Sequence, residues 1–150
     1  MKRSEPLLQV SSRTPLGLLE VIVDQETIVA AGFASLNLLK KKLSEEDRAR
    51  EIQSSKSLTW LTECIVDYFD GNISAFNPLT VRQPGSGFSQ SAWKAMRKIP
   101  AGKVISYATL AQRAGSPAAV RAAGTACGRN AIAPIIPCHR IIPVSYTHLT

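Results

Sequence analysis

Apolar and polar residues follow strand-like runs over the first third of the chain and helical spacing after it. Leu7 to Ser12, Leu18 to Asp24 and Thr27 to Phe33 read as three strands. Thr14-Pro15-Leu16-Gly17 turns the first into the second, and Asp24-Gln25-Glu26 turns the second into the third, so an antiparallel meander is predicted. Leu36 to Lys42 ends in a lysine triplet that belongs on a solvated face. Ser44 ahead of Glu45, Glu46 and Asp47 predicts a helix start, because a serine hydroxyl caps amide N–H groups and acids suit the positive first turn. Leu58, Leu61, Ile65, Tyr68 and Phe69 recur at helical spacing as far as Gly71, which stands where a C-cap glycine belongs. That helix is expected to cover the sheet, with Trp60 and Cys64 as packing residues.

Residues 72–87 hold two prolines and no clear period, and they read as a linker between domains over 1–71 and 88–143. Ser89 can cap a helix that turns Ala92, Trp93 and Met96 inward and stops at Ile99-Pro100-Ala101-Gly102. A short helix follows over Tyr107–Arg113, capped by Ser106, and Gly115 makes a turn. Ser116-Pro117 then supplies N-cap and first position of a second helix, which runs to about Cys127 and stops at Gly128. Helix, glycine turn, helix is a helix-turn-helix pattern. The second helix is nearly bare: Ala118, Ala119, Ala122, Ala123, Gly124 and Ala126 let it approach a neighbour or a groove closely, and Arg121 is its one long side chain before Arg129.

Charge sharpens this picture. Up to Asp70 the chain has nine basic and eleven acidic residues; beyond it there are nine basic residues and no Asp or Glu. Ordinary solubilising charge mixes the two signs, whereas a one-signed region attracts a polyanion, so nucleic acid is the expected partner. With 150 residues and 45% apolar content, the chain suits one or two small globular domains. It has no run long enough for a membrane span, and its basic start is broken by Ser4, Glu5 and Pro6, unlike a signal peptide. Cys64, Cys127 and Cys138 form no CxxC pair, which predicts free thiols in a reducing, cytoplasmic compartment and no metal or other cofactor.

Chemistry concentrates in Ile135-Ile136-Pro137-Cys138-His139-Arg140-Ile141-Ile142. Alone, a Cys-His pair is more often a buried structural cysteine beside a surface histidine. Four isoleucines around Cys-His-Arg fit neither a solvated loop nor a plain buried strand. Cys138 is the best nucleophile candidate, with His139 as its base; a thiol walled by isoleucine loses the water that would stabilise its thiolate and needs that help.

Pro137-Cys138-His139-Arg140 resembles the active-site motif of the O6-alkylguanine-DNA alkyltransferases, which move an alkyl group from guanine to their own cysteine. Tyr68-Phe69-Asp70-Gly71, Gly87-Phe88-Ser89-Gln90-Ser91-Ala92-Trp93, Ile99-Pro100-Ala101-Gly102, Ser106-Tyr107, Val120-Arg121-Ala122 and Asn130 fall in that family's order and spacing, so the resemblance covers about Thr14 to Ile142. It implies an α+β fold: a small N-terminal antiparallel sheet with a covering helix, ribonuclease H-like, then a mainly helical, winged-helix-like DNA-binding domain with a helix-turn-helix. It also implies roles. Cys138 accepts the alkyl group and His139 takes its proton through a water. Tyr107 acts at the phosphate beside the target nucleotide, and Arg121 fills the space left by the flipped base. Ser116 and Arg129 join the DNA contacts. Asn130 and Pro137 brace the site, and the Cys138 and Ile141 carbonyls receive the guanine amino group. The implied partner is duplex DNA carrying an alkylated guanine, bound by a monomer through the minor groove, where bases are poorly distinguished.

The same resemblance implies a closing glycine-rich loop with a tyrosine, and a glutamate that orients the histidine. The printed sequence instead runs Pro143-Val144-Ser145-Tyr146-Thr147-His148-Leu149-Thr150. Val144 to Leu149 resembles the translation of a transposon-end sequencing adaptor, so 144–150 is expected to be a non-native tail and the chain as printed to transfer poorly. A second reading, from a different class, is a helix-turn-helix protein that binds alkylated bases without transfer.

Overall fold

The computed structural model describes residues 5–142, which form two compact units divided between Pro84 and Gly85. The expected tail, residues 144–150, lies outside the described residues.

The first unit is built on the predicted meander. Strands β1 (Leu7–Thr14), β2 (Gly17–Asp24) and β3 (Thr27–Gly32) pair antiparallel, with Val10 opposite Val21 and Ile22 opposite Ala30. Gly17 (φ 124°) makes the first turn possible. Two short strands that the sequence did not reveal extend the sheet at both edges: β4 (Ile52–Ser54) lies parallel to β1, and β5 (Thr80–Val81) lies parallel to β3. The sheet order is therefore β4-β1-β2-β3-β5, an antiparallel centre with parallel edges. At two and three residues these edges carry too little alternation to read in advance.

Helix α1 (Leu36–Lys40) and the one-turn helix α2 (Glu45–Arg48) precede β4. Ser44 caps α2 as expected, its Oγ accepting from the Asp47 N–H at 3.2 Å. Leu39 and Leu43 join Leu7, Ile22 and Val29 in one buried cluster. Val10, Leu19, Val21 and Val23, which alternate to the opposite face, are buried too, so both sides of the sheet are covered. Helix α3 (Thr59–Phe69) packs along β1 and buries Leu61 and Ile65 completely. It ends as predicted: Gly71 (φ 114°) lets the Asn72 N–H reach the Asp67 carbonyl and its own N–H reach that of Tyr68.

The linker expected over 72–87 is not a free connection. Phe76 is buried and stacks on Tyr68 at 4.2 Å between ring centroids, Thr80–Val81 joins the sheet, and Arg82 enters an ion cluster. The boundary falls at Pro84, because residues 76–82 are held by the first unit's core. In that cluster Arg50 bonds both Asp24 carboxylate oxygens at 3.0 Å and reaches Asp47 at 3.2 Å, while Arg82 bonds Asp47 at 2.7 Å and Asp24 at 2.8 Å.

The second unit holds α4 (Gly87–Met96), α5 (Tyr107–Arg113) and α6 (Val120–Arg129), with each helix touching the other two. Ala92, Trp93 and Met96 point inward as predicted. The cap of α4 is Ser86 rather than Ser89: Ser86 Oγ accepts from the Ser89 N–H at 3.1 Å, and Ser89 is buried one turn in. A side chain at Gly85 would place its Cβ 2.6 Å from the Trp93 ring, whose indole N–H is tied to the Ala126 carbonyl at 2.9 Å. Gly85→Ala is therefore expected to cost about 1–3 kcal/mol, since the ring has no slack. A thermal midpoint equal to that of the parent would show that the ring can swing aside.

The helix-turn-helix is present with shifted ends. Ser106 caps α5, accepting from the Thr109 N–H at 3.0 Å. Gly115 (φ 96°) directs the turn, its N–H bonding Gln112 and that of Ser116 bonding Ala111. Ser116 and Pro117 do not open the next helix; they form a turn with Ala119 bonded back to Ser116, and α6 starts at Val120. Gly128 does not stop α6, which runs on to Arg129 with Asn130 as its C-cap. Its φ is not among the positive values and its Cβ direction is open, so nothing there requires the chain to leave the helix.

Candidate active site

The motif segment is placed by backbone pairing. Ile141–Ile142 (β7) runs parallel to Ile105–Ser106 (β6), a two-stranded sheet the sequence did not announce. Since β6 leads directly into Tyr107 at the head of α5, this pairing brings the Cys-His-Arg turn to the start of the helix-turn-helix. Cys138–Arg140 forms one 3₁₀ turn, with the Arg140 N–H bonded to the Pro137 carbonyl at 3.1 Å. Pro137 and Ile141 are buried, Cys138 is half-buried and His139 is exposed.

Asn130 explains how the segment keeps its shape. It is buried at 5% exposure; its Nδ2 donates to the Ile136 carbonyl at 2.8 Å and its Oδ1 accepts from the Ile132 N–H at 3.1 Å. The Cys138 N–H also donates to the Ile136 carbonyl, at 2.9 Å. The end of α6 is thus joined through one carboxamide to the residue two before the cysteine. Arg140 adds a tie that sequence reasoning left without a role: its Nη1 donates to the Ile99 carbonyl at 2.6 Å, anchoring the turn to the end of the α4 segment. The motif itself named Arg140, but only folding supplies the acceptor 41 residues away.

Electrostatics act on two further groups of this unit. Burial, and secondarily the charge of a Cys138 thiolate, push the Cys127 thiol up to about 11, so Cys127 is a thiol at neutral pH. Burial lowers the pKa of His139, and the adjacent Arg140 lowers it further. Its imidazole is thus mostly neutral near pH 7, although the residue as a whole is exposed.

The remaining candidates lie on the helix-turn-helix. Tyr107 is half-buried at the first position of α5, and Ser116 is half-buried in the turn. Arg121, Thr125 and Arg129 share the exposed side of α6 at one-turn spacing, while Ala123 and Ala126 are fully buried on the other. Arg121 and Arg129 therefore sit about 12 Å apart along the helix, with only small residues between them apart from Cys127. The Cys-His-Arg turn follows the end of α6 that carries Arg129 and Asn130, not the end that carries Arg121.

Residues 87–147 match the DNA binding domain of 6-O-methylguanine DNA methyltransferase. A methylated-DNA–protein-cysteine methyltransferase of Shigella flexneri is 34% identical over 140 residues, which is 91% of this chain and 82% of that protein. The chain belongs to the methylated-DNA–protein-cysteine methyltransferase family. A Methanosarcina barkeri member is 39% identical over 111 residues, 74% of this chain and 70% of its own. Among solved structures, the Mycobacterium tuberculosis O6-methylguanine methyltransferase superposes with a TM-score of 0.72 at 26% identity, over 93% of this chain and 80% of that one. A Mycobacterium tuberculosis homologue solved in complex with DNA gives 0.65 at 25% identity, over 92% and 80%. As a family member this methyltransferase is a DNA-repair enzyme, and the α+β architecture expected from the sequence is the family's own. No helix among the described residues is long and apolar enough to cross a membrane.

Proposed function

We propose that this methyltransferase removes the alkyl group from O6 of guanine in duplex DNA, transferring it to Cys138 after the base has left the stack. The observation that carries the reading is the half-buried Cys138 turn, joined by Asn130 to α6 and by β6–β7 pairing to the head of α5. The alkyl carbon of a stacked base is out of reach, so the nucleotide must be turned out, at a cost of a few kcal/mol. Tyr107 acts at the flanking phosphate, and Ser116 and Arg129 hold the backbone. Arg121 takes the vacated space from the exposed, sparsely substituted face of α6. The Cys138 and Ile141 carbonyls receive the guanine amino group, and buried Pro137 keeps the turn in place.

In the reaction His139 takes the thiol proton. Sulfur forms a bond to the alkyl carbon as the carbon–O6 bond breaks, and the electron pair left on guanine is neutralised by a proton. The thioether has no route back, so each molecule reacts once. O4-alkylthymine is a second candidate substrate, and the protein works as a cytoplasmic monomer.

Exposure to an excess of duplex containing O6-methylguanine tests this directly by intact mass. The protein is expected to gain one CH2 at Cys138, more slowly than a family member that carries the closing loop, and to stop at one equivalent. Continued turnover would defeat the reading. An unchanged mass with preferential binding of the methylated duplex would replace it with recognition without transfer.

Arg121→Ala separates base displacement from chemistry. Labelling by free benzylguanine should be unchanged, while repair of duplex should slow by roughly 10-fold, the equivalent of losing about 1.4 kcal/mol at the displaced base. Equal loss on both substrates would make Arg121 a structural residue.

A further inference from the structure

A second cationic feature lies outside the active turn and outside the exposed face of α6. Ser91 and Lys94, one turn apart on α4, and Lys98, in the turn just past its end, meet Arg113, the last residue of α5, across a surface basin of about 510 Å³ that reaches Gly115. Lys94, Lys98 and Arg113 are all exposed. The unit has no carboxylate side chain to answer them, since the last acid in the chain is Asp70. Three like charges converging from two elements on one hollow repel one another unless an anion joins them. A simple solubilising face would spread them over a convex surface.

The backbone cannot do the holding. The Gly115 and Ser116 N–H groups already bond to Gln112 and Ala111. Binding must come from the side chains, and their contacts to a phosphate carry no sequence information. The basin's Gly115 edge continues directly into Ser116 and the turn that leads to α6.

We propose that this basin seats a backbone phosphate of the duplex whose groove α6 enters, so that Lys94, Lys98 and Arg113 fix the unit's register without adding sequence preference. The inference rests on the DNA-binding reading above and adds a phosphate site that none of the residues assigned there supplies.

The test compares two triple variants of the full chain. One is Lys94→Gln, Lys98→Gln and Arg113→Gln. The other, Lys40→Gln, Lys41→Gln and Lys56→Gln, removes the same charge from the first unit. Affinity for a short duplex is measured between about 50 and 200 mM salt, a range chosen because phosphate contacts show there as a slope of about 0.9 per contact. The basin variant should have a slope shallower by about 0.9, one phosphate's share, and should still be labelled by benzylguanine at the parental rate, which reports an intact fold. The control variant should keep the parental slope.

A parental slope in the basin variant, or an equal change in both variants, overturns the assignment. Titration with inorganic phosphate separates the other source of the same chemistry. If phosphate shifts the Arg113 side-chain resonance while the duplex slope stays parental, the basin is a free-anion site and the DNA assignment fails. Failure of the parent to show any salt-dependent duplex affinity would instead defeat the DNA-binding reading itself, and this site with it.

Discussion

Cys138→Ala is expected to leave the protein's mass unchanged after any exposure to O6-methylguanine duplex, while duplex affinity stays within about 0.5 kcal/mol of the parent. The reason lies in the fate of the other thiols. Cys127 is the electrostatic neighbour of Cys138, but burial holds it near about 11, where almost none is thiolate at neutral pH. Cys64 belongs to the first unit, and burial together with Asp67 and Glu63 raises its pKa as well. Neither can stand in as a nucleophile, in keeping with the sequence pattern that singled out Cys138. Cys127→Ala should accordingly be labelled as the parent is. Peptide mapping that found the alkyl group on Cys127 of the Cys138→Ala protein would contradict this account.

The second large effect concerns stability. Asp47→Ala should destabilise the protein by about 3 kcal/mol, the lower end for breaking a buried ion pair, and lower the thermal midpoint by on the order of 10 °C. Asp47 is 2% exposed and receives both Arg50 and Arg82. Its loss leaves Arg50, itself 5% exposed, with Asp24 as its sole carboxylate partner in the cluster, whereas Arg82, at 39%, can turn to water. That asymmetry is why the lower figure applies.

The cluster also sets a pH window. The Arg50 hydrogen bond chiefly lowers the Asp24 pKa, against a smaller opposing effect of burial and with help from both arginine charges. A depressed carboxylate stabilises fully above its unfolded value of about 3.9 and loses that contribution as pH falls through the folded value. Chemical denaturation at pH 6 and pH 3 should therefore show a smaller loss for Asp24→Asn than for the parent. Equal losses would mean that Asp24 does not report on the cluster.

Ser44 and Ser106 were legible as caps because a serine before a polar or helical run has few other local uses. Gly71 and Gly115 were legible as helix ends because positive φ there strains other residues. The same logic misplaced the start of α4, where Ser86 and Ser89 stand within one turn and Ser86 takes the cap while Ser89 is buried in the helix. It misplaced both ends of α6: Ser116-Pro117 opens a separate turn, closed by the Ala119 N–H on the Ser116 carbonyl, before the helix starts, and Gly128 does not stop a helix that tertiary contacts favour continuing. Here Trp93 bonds the Ala126 carbonyl, and Asn130 closes the last turn.

Amino-acid order alone determined the strands of the meander, the one-signed second half, the bare helix and the placing of thiol, imidazole and guanidinium in one short run. Those are properties of neighbours, so they survive without a fold. Only the tertiary structure decided that residues 76–82 belong to the first unit, that Ile105 and Ile141 pair, that Asn130 and Arg140 hold the Cys-His-Arg turn, and that burial silences the Cys127 thiol. Each depends on groups far apart in the chain sharing a hydrogen bond or excluding water together, and a linear pattern carries no record of either.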